Sequence, residues 1–335
     1  MVRPNERTTP EGPTLRGRTG YEAPLSLCSA RRAGRKAKDL LALAGHSGKV
    51  LAALPDTIYL STQGGEVFWV SLEKSPLHRR CIRVSLLPKV APGEEYFWQS
   101  PGMTFSGGSF IDFRAAREWN PFVSGVRKST SPAGLWACLR RLLGVLDSLE
   151  VREDMGKMIS LGRVLAEGGT LPAFPPASLM GRVQDMALAL AHACLDQDLH
   201  SVARMGKEMI GLGPGLTPSG DDFLGGLFFA ARSLHRAFAE DFPWDENAVI
   251  ELMDWAKTRT HPISHTIFSD LALGHGPEPL HDLVGGLLDG EGFDPILEAA
   301  LRLTSIGHSS GWDLLSGAVT GMMMAKQSLG GEHRE

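Results

Sequence analysis

Gly211-Leu-Gly-Pro-Gly-Leu-Thr-Pro-Ser-Gly-Asp-Asp222 runs directly into Phe223-Leu-Gly-Gly226, and this stretch decides how the second half of the chain is read. Four glycines and two prolines in these twelve positions dictate a tight, irregular path, and the path ends in two adjacent carboxylates, Asp221 and Asp222. Beyond them Phe223, Leu227, Ala231, Leu234 and Phe238 recur at helical spacing, so the segment is a loop feeding a helix.

Outward from this point, the chain after Asn120-Pro121 keeps long helical periods broken by Gly and Pro. They predict helices near 133–149, 151–166, 177–199, 219–239, 246–259, 263–274, 279–289, 294–305 and 310–328. The region before Asn120 is different. Thr57-Ile-Tyr-Leu60 and Val67-Phe-Trp-Val70 flank a Gly64-Gly65 turn in a hairpin pattern, and Cys81–Leu86 alternates apolar and polar residues. Glu95–Trp98 and Ser109–Phe113 repeat the strand signal. The fold class expected is α+β, with a small N-terminal antiparallel β-barrel or curled sheet followed by a mostly α-helical domain. The boundaries expected are a mobile tail over 1–34, a β-rich domain over 35–125 and a helical domain over 126–335 that carries the glycine-rich loop. The first 24 residues are rich in Arg, Thr, Pro and Gly without apolar period.

Composition narrows the function classes. A formal net charge of −4 and 7% aromatic residues give no basic, aromatic surface of the kind nucleic acid requires, so small molecules or proteins are the expected partners. No run approaches the apolar length of a membrane span, and the polar N-terminus lacks a signal peptide's apolar region. A soluble, cytoplasmic protein follows as the expectation. Cys28, Cys81, Cys138 and Cys194 are scattered without a CxxC pair, which suits reduced thiols rather than a disulfide frame or zinc site.

The helical half contains an internal echo. Ser219-Gly-Asp-Asp-Phe-Leu-Gly-Gly226 matches Ser310-Gly-Trp-Asp-Leu-Leu-Ser-Gly317 as Ser-Gly-x-Asp-apolar-Leu-x-Gly. The match fits either an internal duplication or two helix starts converging on one site. The Gly215…Gly220 spacing equals that of a nucleotide P-loop, but Asp221 and Asp222 stand where Lys and Ser/Thr belong, which reverses the charge. A dinucleotide fingerprint fails because Pro214 and Pro218 interrupt it. Two readings of the Ser-x-x-Asp spacing stay open: a capping box at each helix start, or ligand binding by glycine N–H groups and acids at helix N-termini. His308, just before the second start, is a candidate to polarise a carbonyl oxygen. His261 and His265 have HxxxH spacing without the Glu of a zinc protease, and Arg259, Thr260 and Ser264 offer a cation and hydroxyls to an anion.

With Gly211–Gly226 and Ile306-Gly-His-Ser-Ser-Gly-Trp-Asp-Leu-Leu-Ser-Gly317, the chain resembles a bacterial family, long of unknown function, that includes AllH, a subunit of oxamate carbamoyltransferase. The resemblance extends over roughly 35–328. It implies a role in allantoin breakdown or a related pathway, in which oxalurate and phosphate give oxamate and carbamoyl phosphate within a complex of different subunits. The Ser-Thr-Arg-Thr motif of the aspartate and ornithine enzymes is absent.

The chemistry assigns roles to the two motifs. Gly213 and Gly215 present N–H groups to an anion, with Gly220 and Asp221 beside them, and Thr217 and Ser219 add hydroxyls. Asp222 accepts from a carbamoyl NH₂ or, with Asp221, holds Mg²⁺. His308 and Asp313 complete the catalytic set, and Ser309, Ser310 and Gly311 line the second start. Carbamoyl phosphate, oxalurate or oxamate, and the other subunits, are the partners expected, with self-association left open. The competing reading is a non-catalytic assembly or regulatory subunit whose glycine loop docks a partner.

Overall fold

The computed structural model describes residues 26–42, 47–121, 131–149, 157–159 and 173–329. Most of the expected tail, and the helix expected over 151–166 apart from 157–159, lie outside the described residues.

The β-rich part is a closed barrel. Its strands are β1 (Ser26–Gly34), β2 (Ser47–Ala53), β3 (Thr57–Thr62), β4 (Val67–Leu72), β5 (Cys81–Val84), β6 (Glu95–Gln99), β7 (Gly102–Phe105), β8 (Ser109–Asp112) and β9 (Arg117–Trp119). They follow the order β5-β4-β3-β2-β6-β7-β8-β1-β9, and a β5–β1 pairing closes the first eight into a ring. Helix α1 (Arg35–Ala42) follows β1 directly. Two expectations change here. Residues 26–34, read as the end of the tail, form β1, which pairs with both β8 and β5 and carries a bulge between Ala30 and Arg32 against β5. The barrel is also mixed rather than antiparallel, because β1–β8, β1–β9 and β4–β5 are parallel. The period of two is what puts Val50, Ile58, Leu60, Phe68, Val70, Ile82 and Ile111 together inside the barrel.

The helical part comprises α2 (Pro132–Asp147), α3 (Leu179–Leu195), α4 (Leu199–Gly206), α5 (Ser219–Ala237), α6 (Glu246–Ala256), α7 (Pro262–Ala272), α8 (Glu278–Asp289), α9 (Phe293–Thr304) and α10 (Ser310–Met322). A 3₁₀ run, Met323–Leu329, continues α10. The stretch expected as one helix over 177–199 is two, because Gln197 takes a left-handed φ of 56° and Asp198 caps a new helix through Ser201 N–H. Helices α5 and α10 are buried almost all round and form the centre of this half. Among the described residues no helix is long and apolar enough to cross a membrane, and none of Cys28, Cys81, Cys138 and Cys194 is in a disulfide.

The outer faces of β3, β4 and β5 dock on the helices. Tyr59, Trp69 and Cys81 are neighbours there through the ladder, with His78 stacked on Trp69 at 4.7 Å between ring centroids. At the junction the buried Arg80 guanidinium donates to Asp270 of α7 through Nε (2.7 Å) and Nη2 (3.2 Å), and through Nη1 to Glu66 (2.6 Å). Despite its burial, the Arg80 guanidinium holds the Asp270 carboxyl below its ordinary range. The Glu278 N–H donates to the carbonyl of Leu77 at 2.8 Å, a further tie between the two halves.

Candidate functional site

The glycine loop connects α4 to α5 and owes its path to three left-handed residues, Gly211 (φ 80°), Gly213 (116°) and Gly215 (92°). A side chain at Gly211 would also come within 2.6 Å of the carbonyl oxygen of Arg259, and one at Gly213 within 2.7 Å of the Ser219 nitrogen. Gly215 faces open space and is exposed, so only its backbone conformation calls for glycine.

Asp221 fastens this loop. Its Oδ1 accepts from the Gly211 N–H at 2.7 Å, and its Oδ2 accepts from the hydroxyls of Ser264 (2.6 Å) and Thr260. Both oxygens are therefore committed to the fold, and Asp221 is a clip rather than the ligand-binding or Mg²⁺-holding acid expected. Thr260 and Ser264 serve the same clip, and Arg259 lies over the Trp255 ring at 4.2 Å. His261 accepts the Ile263 N–H at its Nδ1, and His265 Nε2 lies 3.1 Å from the Met253 carbonyl, so the HxxxH pair divides between two structural tasks. Among the described residues no group of three or more His, Cys, Asp or Glu could hold a metal ion.

The capping-box reading does not survive. The N-cap of α5 is Pro218 and that of α10 is Ser309, and neither helix start has a side-chain cap bond. Ser219 and Ser310 each stand one residue inside their helices, too late to act as N-caps.

The echoed residues instead meet each other. Gly226 lies so close to α10 that a Cβ would stand 2.1 Å from the Leu314 carbonyl oxygen. Gly317 lies so close to α5 that its Cβ would stand 1.8 Å from the Phe223 carbonyl oxygen. Because Phe223 corresponds to Leu314 and Gly226 to Gly317 in the echo, the contact is reciprocal. One turn on, Gly321 approaches the Leu227 carbonyl, so the helices run parallel with their N-termini side by side. Gly220 and Gly311 are also matched: each would place a Cβ 2.0 Å from a carbonyl oxygen, of Met209 and Leu303 respectively. These two glycines, expected to bind ligand, are required by packing.

At the paired N-termini the hydroxyls of Thr217 and Ser310 are 3.0 Å apart. Asp222 and Asp313 sit one turn further in, 3% and 0% exposed. The Asp222 carboxyl is pushed well above its ordinary range, first by burial and then by the charges of Asp313 and Asp221. Hydrogen bonds from Ser310 and Thr217 pull the other way and do not prevail. Among the described residues Asp222 Oδ2 is buried without a hydrogen-bond partner. The barrel contributes Tyr59, whose phenol is pushed upward first by burial and then by the Asp222 charge. Ser309 and Gly213 are half-buried at this end, Ser219 is buried, and His308 is exposed in the turn before α10.

Sequence reasoning missed Tyr59 as a neighbour of this site. It reads as one residue of a hairpin strand, and nothing local says that its side of the strand faces α5. Two clefts of about 540 and 550 Å³ lie elsewhere, one beside α8 and α9 and the other at a barrel end. Neither includes Asp222 or Asp313. The acid pair marks the better candidate, since a cleft alone supplies no chemistry.

Residues 209–322 match the model of a family described as oxamate carbamoyltransferase subunit AllH. That segment is AllH-like. The match takes in the glycine loop, both echoed helix starts and everything between them, so the paired N-termini of α5 and α10 lie wholly inside the AllH-like segment, whereas Tyr59 and the barrel lie outside it. No curated protein matches, and no solved structure matches.

Proposed function

We propose that the chain is a subunit of a carbamoyltransferase-type enzyme that works with other subunits. The reaction is that of oxamate carbamoyltransferase, oxalurate and phosphate giving oxamate and carbamoyl phosphate. The observation that carries this reading is the meeting of two matched helix starts inside the AllH-like segment, with a buried, unpartnered carboxylate oxygen of Asp222 between them. An amide NH₂ supplies the donor that Asp222 Oδ2 lacks, and an anionic end suits glycine N–H groups at helix N-termini. In this reading Gly213 and Gly215 face the anion, and the Thr217 and Ser310 hydroxyls flank it. His308 reaches the carbonyl oxygen from the turn, and Asp313 orients the second helix start. Catalysis then rests on positioning and electrostatics, without a covalent nucleophile.

The test is Asp222→Asn in the assembled complex. Turnover should fall about 100-fold or more while the melting temperature stays close to that of the unsubstituted protein. Loss of activity only in proportion to loss of folding would reject the assignment. So would the absence of any thermal shift with carbamoyl phosphate, oxalurate or phosphate, with the partner subunits present.

A further inference from the structure

In the ring order β5-β4-β3-β2-β6-β7-β8-β1, strand β7 stands opposite β4, so the wall made by β6, β7, β8 and β1 faces away from the helical half. Register partners across these four strands set Phe97, Thr104, Phe110 and Leu27 side by side in one row. Their neighbours along the strands, Tyr96, Met103, Ile111 and Cys28, are buried inside the barrel, so the row points outward. The described chain leaves it uncovered: Phe97 is 50% and Leu27 64% exposed, Thr104 is exposed and Phe110 half-buried. A solvated strand face carries polar residues, and three large apolar side chains in one register row depart from that. A Cβ at Gly102 would stand 2.1 Å from Cζ of Phe110, so that ring lies over the glycine of the neighbouring strand instead of projecting from the wall. The next row, Gln99, Gly102, Asp112 and Ser29, carries one charge, and Arg114 meets it at 2.6 Å.

We propose that this row is a self-association face, on which two copies of the chain pack barrel to barrel about a two-fold axis. A charged partner finds no charge in the row to meet, and the convex outside of a closed barrel offers no groove for a helix. An uncharged sheet face fits it, and the same wall of a second copy is such a face. A two-fold axis normal to the wall between β7 and β8 sets Phe97 against Leu27 of the partner subunit, and the smaller Thr104 against Phe110 of the partner subunit. The two most exposed apolar residues of the row thereby cover each other, once on each side of the axis. Four strands span only about 15 Å, so the contact is a strip, and association on the order of micromolar is expected. The pairing holds whatever reaction Asp222 serves.

Sedimentation of the full chain from about 1 to 100 μM tests it, with a monomer–dimer equilibrium as the expected result. Phe97→Glu and Thr104→Arg, both at exposed positions, should each weaken the dimer at least about 100-fold while the melting temperature stays unchanged. Leu27→Cys and Phe97→Cys chains, mixed under mild oxidation, should form a disulfide-linked heterodimer far more readily than either variant links to itself. A chain that stays monomeric throughout, a dimer that persists in both charged variants, or equal cross-linking of each cysteine variant with itself would overturn the proposal. Two further outcomes would also overturn it by giving the row another occupant. One is a monomer that dimerises only after residues 1–24 are removed, which assigns the row to the chain's own N-terminal segment. The other is a monomer that binds a different purified subunit and loses it in Phe97→Glu.

Discussion

At the scale of single residues, the adjacent acids Asp221 and Asp222 show how environment divides one chemistry into two tasks. Asp221 accepts from a backbone N–H and two hydroxyls, and removing it strands all three donors. Asp221→Ala should destabilise the fold by about 3 kcal/mol, read from denaturant unfolding. Asp222 stands the other way, since burial and neighbouring carboxylates raise its folded-state value above that of the unfolded chain. The neutral form is therefore favoured on folding. The resulting stability is fully present below the unfolded value and is lost as pH rises through the folded one. Asp222→Asn should flatten that part of the melting temperature against pH. Both acids were legible as unusual in the sequence; which one is spent on the fold was not, because Thr260 and Ser264 come from a different turn.

At the scale of elements, the glycines of α5 and α10 explain why the echo exists. With Gly226 against the Leu314 carbonyl and Gly317 against the Phe223 carbonyl, neither helix can carry a side chain at its contact point. Gly226→Ala or Gly317→Ala should each cost more than about 2 kcal/mol, because only backbone stands in the way and backbone cannot rotate aside. Gly215→Ala is the control. It meets nothing within 4 Å and carries only its left-handed φ of 92°, so about 1 kcal/mol is expected. Calorimetry on the three variants separates packing from conformational strain. The loop feeding a helix, the helices from 219 onward and the strands at 57–60, 67–70 and 81–84 could all be read from period and punctuation. Strands β1, β2, β7 and β9 escaped, since their residues are polar, small or few and make sense only once neighbours pair with them.

At the scale of the whole molecule, the junction of barrel and helices is held by buried charge. Arg80 bridges Asp270 and Glu66, and His78, His275 and His281 lie nearby, with burial pushing them down to about 4, 4 and 3. Neutral histidines in the folded state and ordinary ones in the unfolded state give a definite sign. Above about 6.5 neither state is charged; as pH falls towards 4 only the unfolded state binds protons, so stability drops. Asp270 adds to the same acid loss at lower pH, because its depressed value makes its contribution disappear as it is protonated. The melting temperature should therefore decline below about pH 6.5. Asp270→Ala, which leaves Arg80 buried without its main partner, should cost about 3 to 5 kcal/mol.

By itself the sequence determined the division into a β half and a helical half, the irregular loop, the two matched helix starts and the AllH likeness. These depend on local period, on glycine's access to left-handed backbone and on residue identity, all of which are written along the chain. Only the tertiary structure decided that the barrel closes through β1 and mixes strand directions, that Asp221 is a clip, and that Asp222, Asp313 and Tyr59 share one neighbourhood. Those outcomes depend on which distant segments meet and how far water is excluded between them, and the separation of residues along a chain fixes neither.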